Sequence, residues 1–316
     1  MANNIFCGIS FPKKIFKSTI MRYLRKFNES QMEFPSSIEE TERVFEDLRI
    51  QKSRIIHGLT FNTDGSVDYK DEGVSAFLAG LDLIKLPVRF RRVEGLFDIS
   101  YNRLLTLEGC PDIINGTFFA NKNLYTSLEG GPRIVTEAFI SENGRLETLK
   151  GCPEEIGDTF QITGNSNNLK EIDYLPKVVR DYIWVNNNYN LHHVPAVKDG
   201  DYLFHMNSFK NCPIEPLFRV FYDRGGINKH LSDQLKSKDF IRSLDYNYIR
   251  FINGEYCVVL HRFLEAIDEI DYKLDKSLFI EITSRYKFVD DSGNVIDEHI
   301  YRLPNELQQF YNRYFK

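Results

Sequence analysis

The sequence predicts an α+β solenoid: a parallel β stack of about six repeats, 21–23 residues each, over 83–213, capped by 1–82 and followed over 214–316 by an α+β cap or an effector domain. Three phased ladders predict it. Leu86, Leu107, Leu128 and Leu149 stand 21 residues apart, and Ile172 and Val194 continue at 23 and 22. Pro111, Pro132, Pro153 and Pro176 each fall four residues after their anchor. Phe97, Phe118, Phe139 and Phe160 are again spaced by 21, with Ile183 following at 23; Asn102, Asn123, Asn165 and Asn188 come five residues later, Gly144 holding that place in the third unit. A unit this short cannot bury its own apolar face and needs stacked copies of itself.

Taken in chain order, Pro12–Phe27 reads as a basic amphipathic helix carrying Lys13, Lys14, Lys17, Arg22, Arg25 and Lys26. Ser37 with Glu40 forms a capping-box signature that opens a second helix over Ile38–Arg49, its apolar positions being Ile38, Val44, Phe45 and Leu48. Ile55–Tyr69 reads as a hairpin turned at Asp64-Gly65. A solenoid needs its open ends covered, and 1–82 is suited to that task.

Within the repeat, the stretch F-x-I-x alternates with period two, so it predicts a short strand with Phe and Ile inward. Parallel neighbours then stack at about 4.8 Å, which predicts one buried stack of Phe118, Phe139 and Phe160. The asparagine after each strand suits a turn residue that bonds the backbone locally and tolerates a left-handed conformation. The Gly-Cys-Pro corner supplies a tight turn. Cys110 and Cys152 lie two strand spacings apart, roughly 10 Å, too far for a disulfide. With five scattered cysteines in the chain, both read as small buried residues of a reduced protein. Beyond the repeats, Glu215–Tyr222, Asn228–Leu244, Tyr256–Ile270 and Asn305–Tyr314 read as helices, and Phe279–Phe288 and Val295–Tyr301 as strands about an Asp-Ser-Gly-Asn turn.

The L-x-x-L…N phasing over Leu83 to Pro213 resembles the leucine-rich-repeat family. The Gly-Cys-Pro and Gly-Gly-Pro corners, at Gly109-Cys110-Pro111, Gly130-Gly131-Pro132 and Gly151-Cys152-Pro153, are similar to those of short-repeat proteins encoded by large tailed bacteriophages. The chain departs from the standard repeat in placing Phe or Ile where that family has Leu on the strand, and Pro where many members have Leu. The resemblance implies protein–protein recognition on the strand-lined face without enzymatic activity. A phage origin, a host protein as partner and the host bacterial cytoplasm as location follow from the resemblance alone.

Composition narrows the function classes. Hydrophobic residues make up 42% and aromatics 14% of the chain, enough for a wide core with aromatics left over for contact surfaces. A net charge of −5 disfavours duplex-DNA binding, which draws its affinity from phosphate neutralisation. No apolar run is long enough for a membrane helix, and the first residues lack the order of a signal peptide, so a cytoplasmic location is expected. No phosphate loop, nucleophile elbow, H-E-x-x-H helix or paired C-x-x-C is present. No catalytic residue, metal or cofactor is therefore expected. His192-His193 reads as a solvated pair, Cys257 as a buried thiol on a helix rather than a nucleophile for His261, and Glu265, Asp268, Glu269, Asp271 and Asp275 as a solvated helix face.

With the Phe ladder inward, its neighbours must face outward. The expected partner-binding residues are Asp98, Phe119, Ile140, Gln161, Tyr182, Trp184 and His205. Exposed aromatics on a rigid sheet suit a protein-binding hot spot. The alternative is single-stranded nucleic acid, with bases stacked on the aromatics and phosphates held by the basic N-terminal helix.

Overall fold

A computed structural model describes residues 33–48, 58–70, 78–165, 168–199, 202–223, 247–269, 276–296, 309 and 312. The helices expected at Pro12–Phe27 and Asn228–Leu244 lie outside these residues, as does Asn305–Tyr314 apart from Gln309 and Asn312, both helical.

The chain enters through helix α1 (Ile38–Asp47), capped by the Ser37 side chain, which accepts from Glu40 N at 3.2 Å. The reciprocal arm is displaced by one residue: Glu40 Oε2 accepts from Ser36 N rather than from Ser37 N. Val44, Phe45 and Leu48 are buried, as the apolar spacing predicts, while Ile38 is half-buried. The expected hairpin follows as β1 (Leu59–Phe61) and β2 (Val67–Lys70), paired antiparallel with Leu59 opposite Tyr69.

The solenoid has two parallel sheets. One holds the anticipated Phe strands: β4 (Phe97–Asp98), β6 (Phe118–Phe119), β8 (Phe139–Glu142), β10 (Phe160–Thr163), β12 (Tyr182–Trp184) and β13 (Leu203–Phe204), joined in that order. The other was not anticipated. It comprises β3 (Phe90–Glu94), β5 (Ile113–Asn115), β7 (Ile134–Val135), β9 (Glu155–Ile156) and β11 (Val178–Val179), and it begins on the hairpin, because β2 pairs with β3. The hairpin therefore covers the open edge of this second sheet, which would otherwise expose unpaired backbone groups.

Each coil turns four apolar side chains inward. The first ladder is Leu83, Leu104, Tyr125, Leu146, Leu169 and Leu191, and the second is Leu86, Leu107, Leu128, Leu149, Ile172 and Val194. The third, Val93, Ile114, Val135, Ile156 and Val179, belongs to the unforeseen sheet; the fourth is the Phe ladder, and all are buried. The Phe register is as predicted, Phe97↔Phe118↔Phe139↔Phe160↔Ile183↔Phe204. Ring centroids in the aromatic part are 5.8, 5.2 and 5.4 Å apart, wider than the strand spacing. The last two contacts are edge-to-face, which suits the ring quadrupole better than a parallel stack.

The asparagines work differently from the local turn role the sequence predicts. Their amides bridge coils: Asn188 Nδ2 donates to Val185 O at 2.6 Å and, one coil back, to Ile162 O at 2.9 Å. Asn123 Nδ2 likewise reaches Ala120 O and Ile99 O. The left-handed residue is the one before: Tyr101, Lys122, Asn143, Gly164 and Asn187 all have positive φ. Cys212 extends the ladder, its thiol donating to Val185 O at 3.1 Å. The Gly-Cys-Pro corners need glycine because Gly151 has φ +83° and lies where a Cβ would come within 2.5 Å of Glu129 backbone. Cys110 and Cys152 are free and half-buried against the core, and burial pushes the Cys152 thiol up to about 12.

The C-terminal region begins with α2 (Glu215–Asp223), whose Phe218 closes the solenoid end against Phe209 at 4.5 Å and Phe204 at 5.9 Å. A three-stranded sheet follows: β14 (Ile249–Ile252) antiparallel to β15 (Glu255–Val259), and β15 parallel to β16 (Lys287–Val289). Helices α3 (Leu260–Glu269) and α4 (Lys276–Arg285) form the crossover. Two expectations fail here. The helix expected from Tyr256 starts only at Leu260, because Cys257, Val258 and Val259 are buried in succession on a strand. The strand expected over Phe279–Phe288 is mostly helix α4, whose buried residues Leu278, Phe279 and Ile282 fall on one helical face. Of the strand expected at Val295–Tyr301, Val295 bridges Val289 and 297–301 lie outside the described residues. A continuous apolar core joins the cap residues Val44 and Phe45 to the repeats and to Phe288.

Candidate functional site

The alternation along the Phe strands sets the outer face. Because Phe97 through Phe204 are inward, Asp98, Phe119, Ile140, Gln161, Tyr182, Trp184 and His205 are outward, and all seven are half-buried. Five form one cross-strand row, Asp98↔Phe119↔Ile140↔Gln161↔Trp184. The face is thus apolar in its middle and aromatic at its C-terminal end.

That end is a three-ring cluster. Trp184 stacks on His205 with centroids 5.0 Å apart and planes at 28°. Tyr182 meets His205 edge-on at 5.8 Å and Trp184 at 6.4 Å. His205 is fixed from behind, its ring Nδ1 accepting from Asn207 N at 3.2 Å and its backbone N–H donating to Ser208 Oγ at 2.8 Å. These bonds hold the imidazole at one orientation on the sheet. Asp98 at the opposite end is partly engaged, accepting from Ser100 N at 2.9 Å.

An acidic row borders the face, and the sequence reading did not single it out. Glu137, Asp158 and Asp181 each stand two residues before an inward ladder position, and Glu142 ends β8. Thr117 Oγ1 donates to Glu137 at 2.7 Å, Thr159 Oγ1 to Asp181 at 3.0 Å, and Gln161 Nε2 to Glu142. None of the residues on these six strands is Lys or Arg. The row is visible in the sequence as carboxylates in phase with the Phe ladder. The other sheet contrasts with it: Asp112, Arg133, Glu154 and Lys177 alternate in sign across successive coils and pair at 3.3–3.9 Å, cancelling one another's charge.

The remaining candidates take other places. His192 is not solvated: its ring stacks on Tyr256 at 5.0 Å with planes at 9°, and meets Tyr286 edge-on at 5.7 Å. Its neighbour His193 faces Glu171, which also accepts from Tyr256 OH at 3.1 Å. Cys257 lies on strand β15 rather than on a helix; burial pushes its thiol up, while His261 is held by Asp291 at 2.8 Å. Glu265 and Asp268 are exposed on α3, and among the described residues no group of three or more His, Cys, Asp or Glu side chains is arranged to hold a metal. No described helix is long and apolar enough to cross a membrane.

The chain matches no family model, no curated protein and no solved structure.

Proposed function

We propose that this protein is a non-enzymatic binding solenoid whose outer Phe-strand face docks a cationic segment of a protein partner. The observation that carries the reading is the Tyr182–Trp184–His205 cluster beside the carboxylates Asp158 and Asp181. Rigid, half-buried aromatics supply contact area at low entropic cost, and they attract Lys or Arg through their ring faces. The acidic border steers positive charge and repels phosphate, which favours protein over single-stranded nucleic acid. The similarity of the Gly-Cys-Pro corners to phage short-repeat proteins supports a phage-encoded, leucine-rich-repeat-like factor that binds and modulates a host protein in the bacterial cytoplasm.

The test is a pull-down from bacterial lysate with the wild-type chain, Trp184→Ala and Asp158→Lys/Asp181→Lys side by side. A specific protein retained by the wild type should fall at least tenfold with either variant, and its capture should weaken with salt. Equal recovery by all three chains would remove this face as the binding site. Recovery of nucleic acid that survives nuclease-free washing at low salt only, with no protein, would favour the other partner class.

A further inference from the structure

The C-terminal sheet and helix α4 meet the last coils of the solenoid across a cleft of about 700 Å³. This volume is in the range of pockets that enclose small organic molecules. One wall comes from the repeats, through Lys170, Asn190 and His192; the other comes from Phe251, Tyr256 and Tyr286 with part of α4. The outer-face aromatics do not contribute to it.

The cleft is chemically unbalanced in three ways. Its rim carries apolar side chains that nothing covers among the described residues: Phe251 is 59% exposed, Val295 53% and Ile280 44%. Phe251 packs against Tyr256 at 4.9 Å, so the rim continues into the Tyr256–His192 stack as a flat aromatic wall. Beneath its floor, sealed from the open space of the cleft, lie unmet polar groups. Tyr286 is 3% exposed, and among the described residues neither its hydroxyl nor His192 Nδ1 has a hydrogen-bond partner. Leaving such groups unpaired is costly, and paired groups are the rule in folded proteins. Finally, cations outnumber carboxylates along its lining. Lys170, Arg285 and Lys287 line it against one carboxylate, Glu255. Lys287 pairs with Glu255, and Arg285 with Glu281 at 2.9 Å, whereas Lys170 makes no ion pair among the described residues.

We infer that this cleft is a binding site for a small organic anion with a flat apolar body. The body lies along Phe251 and Tyr256, and the anionic group faces Lys170. Burial first, then the nearby Arg285, lowers the pKa of the His192 imidazole, which serves as part of the flat wall. The site is independent of the outer face and of the partner proposed for it.

Titration with 8-anilinonaphthalene-1-sulfonate, a flat aromatic sulfonate that fluoresces when shielded from water, tests the inference on the full chain. One saturable site per chain is expected. Phe251→Ser and Lys170→Glu, both at surface positions, should each weaken it roughly tenfold, whereas Tyr286→Phe, which removes a hydroxyl sealed from the cleft, should leave it unchanged; one charge-assisted contact corresponds to a factor of about ten. Trp184→Ala should bind the probe as the wild type does, even if it loses the protein partner. The uncharged analogue N-phenyl-1-naphthylamine should bind more weakly and be indifferent to Lys170→Glu. Thermal melts by circular dichroism identify any variant that has lost its fold; should one of Phe251→Ser and Lys170→Glu do so, the other carries the comparison. Absence of saturable fluorescence, equal affinity in every folded variant, or loss with Trp184→Ala alone would each overturn the assignment.

Discussion

Phe139 stands in the middle of the inward ladder, wholly buried, with aromatic rings at 5.2 Å on one side and 5.4 Å on the other. The next residue, Ile140, lies on the same strand with the opposite orientation and is half-buried between Phe119 and Gln161. Truncating the first leaves a cavity in a close-packed column, and truncating the second opens a gap toward solvent. Phe139→Ala should therefore cost on the order of 3–5 kcal/mol in a urea melt, and Ile140→Ala roughly 1 kcal/mol or less. Reversal of that order would mean a one-residue register error, and the outer face would be the core. This much was legible in the sequence. A strand's period of two leaves only two choices for each side chain, and the 21-residue phasing selects the same one in every coil.

At the scale of the element, the turn ladder divides into satisfied and unsatisfied rungs. Asn188 makes four bonds that close a coil: its amide donates to Ile162 O and Val185 O, and its oxygen accepts from Asn165 N at 3.0 Å and from Asn165 Nδ2 at 3.3 Å. Asn165 is equally buried, but its Oδ1 has no partner among the described residues, and it faces Gly144, the one rung without a side chain. Replacing Asn188 by Ala strands several buried backbone groups, each worth about 1–3 kcal/mol, so a loss of roughly 2–4 kcal/mol is expected. Asn165→Ala should cost no more than about 1 kcal/mol, since it deletes one long bond and one unmet acceptor. Chemical denaturation of both variants distinguishes them; comparable losses would show that the ladder does not carry stability rung by rung. The asparagine positions could be read from the sequence, but their reach across coils could not, because a turn asparagine is ordinarily satisfied by its own neighbours. The second sheet escaped for a related reason. Strands as short as Ile134–Val135 contribute one inward residue per coil, too few to display alternation. In the C-terminal unit, Cys257-Val258-Val259 is a short apolar run, and such runs read equally as helix or strand.

Across the whole molecule, the solenoid and the C-terminal unit share one core, and His192 lies where they meet, stacked on Tyr256 and edge-on to Tyr286. This junction was not foreseeable from local patterning, since it joins residues nearly a hundred positions apart. It makes stability depend on pH with a definite sign. Desolvation, and then the charge of Arg285, lower the folded-state pKa of His192, whereas in the unfolded chain it titrates near 6.5. Between those two values the unfolded chain holds more protons, so stability rises with pH. The contribution is fully present above about pH 6.5 and is lost as pH falls through the folded-state value. Other groups at the junction also titrate. Asp173 has a raised pKa, from its own burial and then from Glu171, and its slope is opposite in sign and begins at lower pH. A comparison isolates His192 from these neighbours. His192→Phe preserves a flat ring between the two tyrosines while removing the titration, and Asp173, Glu171 and His193 remain in both chains. The melting temperature of the wild type should fall from pH 7.5 to pH 5.5 more steeply than that of His192→Phe, the difference between the two curves growing below about pH 6.5. Hydrogen exchange at the lower pH should show the excess loss of protection in β15, α4 and the last coils, with the first coils unchanged. Parallel melting curves would mean that His192 titrates alike in the folded and unfolded chains, and that the junction around it is open to water.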